Sequence, residues 1–530
     1  MVKRVVLDAM IKRADFAHQS ESVSVELSNS LKLSDIAGSS PMSKLLRKPD
    51  FQRETNHWSP AQVVSLIKSF VSGELIPAII LWKSESFIFV IDGGHRLSAL
   101  RAWAENDYGD GSVSYGFYDR NIPQDQKDLA KATRRAVESE VGRYSDFYSL
   151  SEEQLAEDAV KAKQHSTIFS RSLHVQWIQG NQEVAESSFF KINSQGTALD
   201  QTEELLLRNR RKSYAVAARS IVRAGTGHKY WSTFSPEIQS QIENYAQRQN
   251  DIFFQPDATE PIKTLDLPLG GTSSPIDALK TLVDIFGLVD QASDIKKRMN
   301  DLADDIDGTE TVSLLRRSLK VASRMSGNDP GSLGLHPAVY FYTERGKHSR
   351  FLFLGVVKSI ANAIANNNKE WFRSFTKARA RIESTLIDRK SLINQGLANV
   401  NSSQRVDRIS DLMNYLIQQL QDKERVSDVD ILRSLGLEGA AGDLRIIDAP
   451  EGFSVDVKSA VFLQSAIVTA PRCEVCGGLL HVIKSASYDH KEPVHAGGKG
   501  TLVNAQILHP YCNTGIKGGL EGANDDPSHT

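Results

Sequence analysis

The chain has 530 residues, 40% of them hydrophobic and 24% charged, with a formal net charge of −2. That length suits roughly three domains of about 150 residues, each large enough for a real core, and a near-neutral charge excludes a wholesale polyanion binder while leaving room for local basic patches. The longest apolar runs, such as Leu75–Trp82, fall far short of a membrane span.

Only three cysteines are present, all near the carboxyl end and all usable as metal ligands. No pair is then left for a disulfide, and a reducing cytoplasm is the expected setting. The opening MVKRVVLDAM has no apolar core of signal-peptide length.

Residues 1–40 are mixed and Ser-rich and read as a lead-in helix and loop, with order expected from about Phe51-Gln52-Arg53. Ser59-Pro60-Ala61-Gln62 is a capping box with proline at the first helical position, which predicts a helix start. Val63, Val64, Ile67, Phe70 and Val71 recur at helical spacing, and Gly73 ends the run. Ala78–Trp82 and Phe87–Ile91 read as strands about a turn at Lys83–Ser86, and Asp92-Gly93-Gly94 leads into a helix over His95–Glu105. From Pro123 to about Ser170 the pattern is charged and helical. Val184–Asn209 carries Phe190, Ile192, Asn193, Gly196 and Leu199 before the basic string Arg208-Asn-Arg-Arg-Lys212.

Residues 227–440 read as amphipathic helices, interrupted at Leu267–Pro275 and Gly327–Pro337 where glycine and proline cluster. Lys369, Arg373, Lys377 and Arg381 form one helix stripe, with Trp371, Phe372 and Phe375 on other faces. That stripe and the Arg208–Lys212 string are the two segments suited to following a DNA backbone, although such stripes are more often solvated faces. Gly439–Gly452 is the expected linker into a terminal module starting near Val457, and Gly518–Thr530 the expected flexible tail.

The terminal module holds the densest chemistry. Cys473-Glu-Val-Cys476 and His509-Pro-Tyr-Cys512 are two knuckles of matching spacing, enough for one tetrahedral Cys3His zinc site. The zinc would hold together a module too small for a core of its own. Between the knuckles stand Tyr488-Asp489-His490, Gly497-Gly498 and Asn504, and Asn513 follows Cys512. A structural zinc site requires none of these. Phosphodiester hydrolysis does, because it needs a base to activate water and a cation to neutralise charge on the phosphoryl group and leaving oxygen. His490, whose imidazole titrates near working pH, is the expected base. Asp489 and the Asn513 amide oxygen are hard donors suited to Mg2+ or Mn2+. Lys517, beyond the last knuckle, is available to a phosphate, whereas His481 and His495 are expected to face solvent.

A second constellation, Asp92-Gly93-Gly94-His95-Arg96, lies between a strand and a helix. It offers an anion the N–H groups of a glycine turn and helix N-terminus, plus a guanidinium fork. The plainer alternative is a structural turn whose Arg96 pairs with an acidic neighbour.

Two family resemblances follow from these motifs. Asp489-His490-Lys-Glu-Pro493, Gly497-Gly498, Asn504-Ala-Gln-Ile-Leu508 and His509-Pro-Tyr-Cys512-Asn513 resemble the HNH (ββα-metal) endonucleases over about Pro471–Lys517, with His509 where zinc-bearing members usually carry cysteine. The resemblance implies that Asn504 braces the loop between strand and helix and orients the base. Over residues 40–215, Phe51-Gln52-Arg53, Trp58, Ile76-Pro77, Asp92-Gly93-Gly94-His95-Arg96 and Phe190-Lys-Ile-Asn193-Ser-Gln-Gly196 with Leu199 resemble a ParB/sulfiredoxin-like domain marked by an Asp-Gly-Gln-Gln-Arg motif. That domain is found in modification-dependent restriction systems of the GmrSD and SspE kind; here Gly94-His95 stands in place of Gln-Gln, and His336-Pro337-Ala-Val-Tyr340 is a looser likeness to the same architecture. By position, Asp92 would serve a metal or water, Gly93, Gly94, His95 and Arg96 would hold the phosphates of a nucleoside triphosphate, and Gln52 and Arg53 would face the same pocket.

The expected fold class is α+β and multidomain. A lead-in at residues 1–40 precedes a ParB-like α/β domain at 41–225, a mainly helical region at 226–450, and a small zinc-stabilised ββα-metal HNH module at 457–530. The resemblances imply a Mg2+-dependent DNA endonuclease with structural Zn2+, regulated by a nucleoside triphosphate and acting against phage or modified DNA. The alternatives are an NTP-switched DNA-binding regulator with a non-catalytic zinc module and an RNA-cleaving abortive-infection nuclease. No membrane partner is expected, and homo-oligomerisation is left open.

Overall fold

The computed structural model describes residues 4–14, 27–38, 40–49, 58–118, 120, 122–195, 201–225, 229–271, 275–437 and 453–517. Gln52, Arg53, Gly196, Leu199, the Gly439–Gly452 stretch and the Gly518–Thr530 tail lie outside them, as do the side chains of Phe190 and Asn193. The chain divides into two compact units, Met1–Arg210 with Thr226–Tyr230, and Arg211–Gly225 with Trp231–Thr530.

The capping box in the first unit forms as its residues dictate. Ser59 Oγ accepts the Gln62 N–H, Gln62 Oε1 accepts the Ser59 N–H at 2.9 Å, and the helix runs Pro60–Ser72 to a left-handed Gly73. Strands β1 (Arg13–Ala14), β2 (Ser30–Lys32), β3 (Leu46–Pro49), β4 (Ile79–Lys83), β5 (Ile88–Asp92) and β6 (Ser172–Ile178) make a mixed sheet in the order β1-β3-β5-β4-β6-β2. Strand alternation divides its residues between two cores. Leu81, Ile88 and Val90 join Val63, Ile67 and Phe70 of the Pro60–Ser72 helix, whereas Trp82, Phe89 and Ile91 join Ala185 and Phe189 of the Gln182–Gln195 helix.

One expectation changes here, and one strand lies where no element is assigned from sequence. The segment read as a lead-in supplies both edge strands and buries Val5, Leu7, Met10, Ile11, Leu31 and Ile36 in the core. Its strands, of two and three residues, are too short to carry a legible period. In addition, β6 lies inside the sheet, parallel to β4 and antiparallel to β2. Its alternation of Leu173, Val175 and Trp177 with polar residues is a strand pattern lying just beyond the helical stretch that ends near Ser170.

The second unit is helical around the Thr309–Met325, Arg350–Ala365, Lys369–Asp388 and Arg405–Gln419 helices. Its carboxyl end, from the Val455–Thr469 helix onward, belongs to the same unit. No helix among the described residues is long and apolar enough to cross a membrane.

Each basic segment has members that are already engaged. Arg381 is half-buried and donates to the Leu420 and Gln421 carbonyls at 2.7 and 3.0 Å, satisfying the end of a neighbouring helix. In the first unit Arg208 pairs with Glu204 at 2.8 Å and Arg210 with Glu186 at 3.0 Å. In the second, Lys212 Nζ donates to the Asn300 carbonyl at 2.6 Å. Lys369, Arg373 and Lys377 of the first stripe remain exposed.

His336 is 1% exposed and its ring lies 5.8 Å from that of His481. Burial, reinforced by the nearby charges of His481, Lys390 and Arg379, lowers its pKa to about 3. An unfolded chain takes up that proton near pH 6.5, which the folded protein refuses until about 3. The contribution of the neutral ring is therefore complete above pH 6.5 and lost on acidification, at about 1.4 kcal/mol per pH unit. Denaturant titrations at pH 7 and pH 5 are expected to show a smaller loss of stability for His336→Gln than for the native chain. Equal losses would mean that the ring titrates normally.

Candidate functional site

The two knuckles converge. The ligand atoms of Cys473, Cys476, His509 and Cys512 all lie within 4.8 Å of one another, the spacing that metal bonds of about 2.0–2.3 Å require. The first knuckle turns on Gly477, at φ 67°, with its N–H donated to the Cys473 carbonyl and the Cys473 N–H to the Gly478 carbonyl, both at 2.8 Å. His509 Nε2 hydrogen-bonds the Leu479 carbonyl at 2.9 Å, which leaves the lone pair of Nδ1 facing Cys476 Sγ at 3.3 Å. Burial lowers the His509 pKa and keeps the ring neutral, as a ligand must be. The thiols are in conflict on their own: hydrogen bonds from Cys476 and Cys512 pull Cys473 down, and Cys473 in turn raises both of them. A dication resolves that conflict, and a soft-donor set of this shape fits zinc. Among the described residues, the apolar side chains fully buried in one cluster with the cysteines are Leu480 and Leu508, so a metal would carry much of what a core would otherwise do.

Beyond the knuckle, β7 (Ser487–His490) pairs antiparallel with β8 (Ala505–Leu508), with Asp489 opposite Gln506 and His490 opposite Ala505. A π-helical turn over Cys512–Lys517 follows, completing a ββα outline. Ser487 and Asp489 share one strand face, and the turn lies along it. Asn513 Nδ2 donates to Ser487 Oγ at 2.6 Å, leaving Oδ1 as a hard donor, and Lys517 Nζ contacts Asp489 Oδ2 at 2.6 Å and the His490 carbonyl at 2.5 Å. The Lys517 hydrogen bond, and after it the His490 N–H and the charges of Lys517 and His490, hold the Asp489 carboxyl below its ordinary pKa. Lys517, expected at a phosphate, is thus engaged by the carboxylate.

His490 takes the alternate strand face. Its ring is partly exposed, and no described residue hydrogen-bonds its nitrogens. Its backbone is fixed by Gln506 Nε2, which donates to the His490 carbonyl at 3.1 Å. Asn504 clamps the loop beside it: Oδ1 accepts the Glu492 N–H at 2.8 Å, and Nδ2 donates to the Glu492 and Lys499 carbonyls at 3.1 and 3.0 Å. Gly497 adopts φ 99°, and a Cβ on Gly498 would overlap the Glu492 carbonyl, so the Gly-Gly pair is required by close approach as well as by turning.

His495 is exposed as expected, but His481 is not. It is 3% exposed, with Nε2 2.9 Å from Asp266 Oδ1. Two residues that the sequence reading passed over complete the zinc region. Arg379 and Glu383, 1% and 0% exposed, pair at 2.8 Å. Glu383 Oε2 accepts the Leu479 N–H at 2.6 Å, while Arg379 donates to the Leu333 and Gly334 carbonyls. Leu479 therefore links Glu383 to the zinc-ligand His509. A signal was available: Arg379 and Glu383 fall in register with Phe372, Phe375, Ile382 and Leu386 on an otherwise apolar stripe, where an unpaired charge is untenable.

In the first unit, Gly93 takes φ 94°, and a Cβ there would sit 2.5 Å from Ile79 Cδ1. Arg96 Nη2 donates to Asp92 Oδ2 at 2.7 Å and to the Ala78 carbonyl at 3.2 Å, and the His95 ring stacks on Trp58 at 5.6 Å. Asp92 and Arg96 therefore satisfy each other across the turn.

The family model described as GmrSD restriction endonuclease, N-terminal domain, matches residues 33–211, and that of the HNH endonuclease matches residues 473–517. No curated protein and no solved structure gives a significant match. The chain carries a GmrSD-type N-terminal domain and a carboxyl-terminal HNH domain, and that pairing marks it as a nuclease.

Proposed function

We propose that the protein is a Mg2+-dependent DNA endonuclease, switched by nucleotide at the Asp92–Arg96 turn and acting in restriction of phage or modified DNA. The observation carrying the nuclease reading is the ββα hairpin, where Asp489 and Asn513 lie along one face of β7 and the His490 ring leaves its other face, next to the Cys3His knuckle. A phosphate reaching across the strand would meet the base on one flank and the hard donors on the other. His490 removes a proton from water as the water oxygen bonds to phosphorus; the bond from phosphorus to the leaving sugar oxygen breaks, and that oxygen is protonated from solvent. A divalent cation held by Asp489 and Asn513 supplies charge neutralisation at the phosphoryl and leaving oxygens. Lys517 holds the Asp489 carboxylate until then and is released toward the phosphate.

At the first site a triphosphate would draw Arg96 away from Asp92, leaving the carboxylate for the nucleotide's cation or the attacking water. The left-handed Gly93 and the helix N-terminus at Gly94 support this reading, because both direct backbone N–H groups at one point. Supercoiled-plasmid cleavage, with Mg2+ and with or without each nucleoside triphosphate, tests both sites. Asp489→Ala is expected to raise the Mg2+ concentration for half-maximal cleavage by about tenfold or more. Asp92→Ala is expected to abolish nucleotide turnover. Cleavage that persists in a strong chelator rejects the cation, and normal turnover by Asp92→Ala ends the switch.

A further inference from the structure

Leu502 and Val503 are 93% and 87% exposed, and Val494, at the other end of the same loop, is 67% exposed. These residues stand on ordered turns. Val494–Ala496 and Leu502–Asn504 are 3-10 turns, the Asn504 side chain makes three hydrogen bonds across the loop, and the Lys491 N–H closes it on the Asn504 carbonyl at 2.7 Å. Holding two large aliphatic side chains in water leaves unrealised a burial that a partner surface would supply.

The register identifies that partner. Ala505 pairs with His490, and Val503 stands two residues before it, on the 3-10 turn that leads into β8. A Cβ on Gly500 of this loop would be 3.9 Å from His490 Nε2. Whatever presents a phosphate to His490 brings its grooves to this tip. Lys499 is exposed on the same loop, while Lys491 pairs with Glu474 at 3.1 Å.

We propose that Leu502 and Val503 form an apolar wedge that enters a base step of duplex DNA from the minor groove, next to the scissile phosphate. This rests on the endonuclease reading. The minor groove, about 6 Å wide, admits branched aliphatic side chains, and insertion partly unstacks the step and bends the duplex. The consequence for the reaction is access: a bent, unstacked step opens the backbone so that the phosphorus reaches His490. Single-stranded DNA needs no such opening.

The test uses the full chain carrying Leu502→Ser and Val503→Ser, exposed changes that leave folding intact, with zinc content and unfolding midpoint as controls. Cleavage of relaxed circular duplex is expected to fall about tenfold to a hundredfold, while cleavage of circular single-stranded DNA keeps its native rate. A second readout does not depend on cutting. Bound to closed circular DNA and treated with a topoisomerase, His490→Ala protein is expected to unwind the duplex. The wedge variant in that background should unwind it less at equal occupancy. Native duplex cleavage together with unchanged unwinding overturns the wedge and assigns the tip to a protein surface. Equal losses on both DNA forms also overturn it, since that result describes a general binding defect. If the native chain cuts neither form, the endonuclease reading fails by itself, and unwinding still decides the wedge.

Discussion

His490→Ala is expected to slow plasmid cleavage by about 10²- to 10⁴-fold, the range associated with a positioned general base, without loss of zinc or of folding stability. The ring is partly exposed and bonded to no described residue, so its removal leaves no orphaned partner and no cavity. Its backbone is held independently, through the Gln506 and Lys517 bonds to its carbonyl and the pairing with Ala505, so the strand keeps its place when the ring is deleted. Half-saturation by Mg2+ should also be retained, because the donors proposed for the cation are Asp489 and Asn513. His495→Ala, altering an exposed ring in the adjoining loop, provides the comparison and should cut at the native rate. Unchanged nicking by His490→Ala would remove that residue as the base and leave the zinc module as a docking element.

Loss of zinc together with a large loss of stability is the outcome expected for Glu383→Ala. Arg379 would then be buried with no counter-charge, and the Leu479 N–H and the Tyr340 hydroxyl, which donates to Glu383 at 3.0 Å, would lose their acceptor. Breaking a buried pair from one side costs about 3–5 kcal/mol. The damage should reach the metal, since Leu479 also orients His509 through its carbonyl, and groups that orient a ligand typically govern about 10- to 100-fold in metal affinity. Glu383→Gln keeps an oxygen for Leu479 and should recover part of the zinc affinity without restoring full stability. Release of zinc to a chromogenic chelator and unfolding midpoints measure the two effects separately. Full zinc retention by Glu383→Ala would establish the knuckle as self-sufficient.

Much of the site was legible because its chemistry is local in sequence. Cys473 and Cys476 are fixed by one turn, His509 and Cys512 by another, and a metal with four donors must bring two such knuckles together. The Asp489-His490 pair and Asn504 likewise act within one hairpin. The Pro60–Ser72 helix was readable for the same reason, since its cap, apolar spacing and terminal glycine all lie within its own length. The edge strands β1 and β2 were not: their residues are defined by partners distant in the chain, Lys48 and Pro49 for β1 and Ser172–His174 for β2.

Spacing and donor chemistry in the sequence thus mark the Cys3His cluster, the residues proposed for hydrolysis and the glycine turn at Asp92–Arg96. Tertiary structure alone decided which charges are spent: Arg381 on a helix end, Lys517 on Asp489, Arg96 on Asp92, and Arg379 and Glu383 on the knuckle. A charged side chain is written identically in sequence whether it faces water or a buried carbonyl. Only the fold sets the desolvation that makes a partner obligatory.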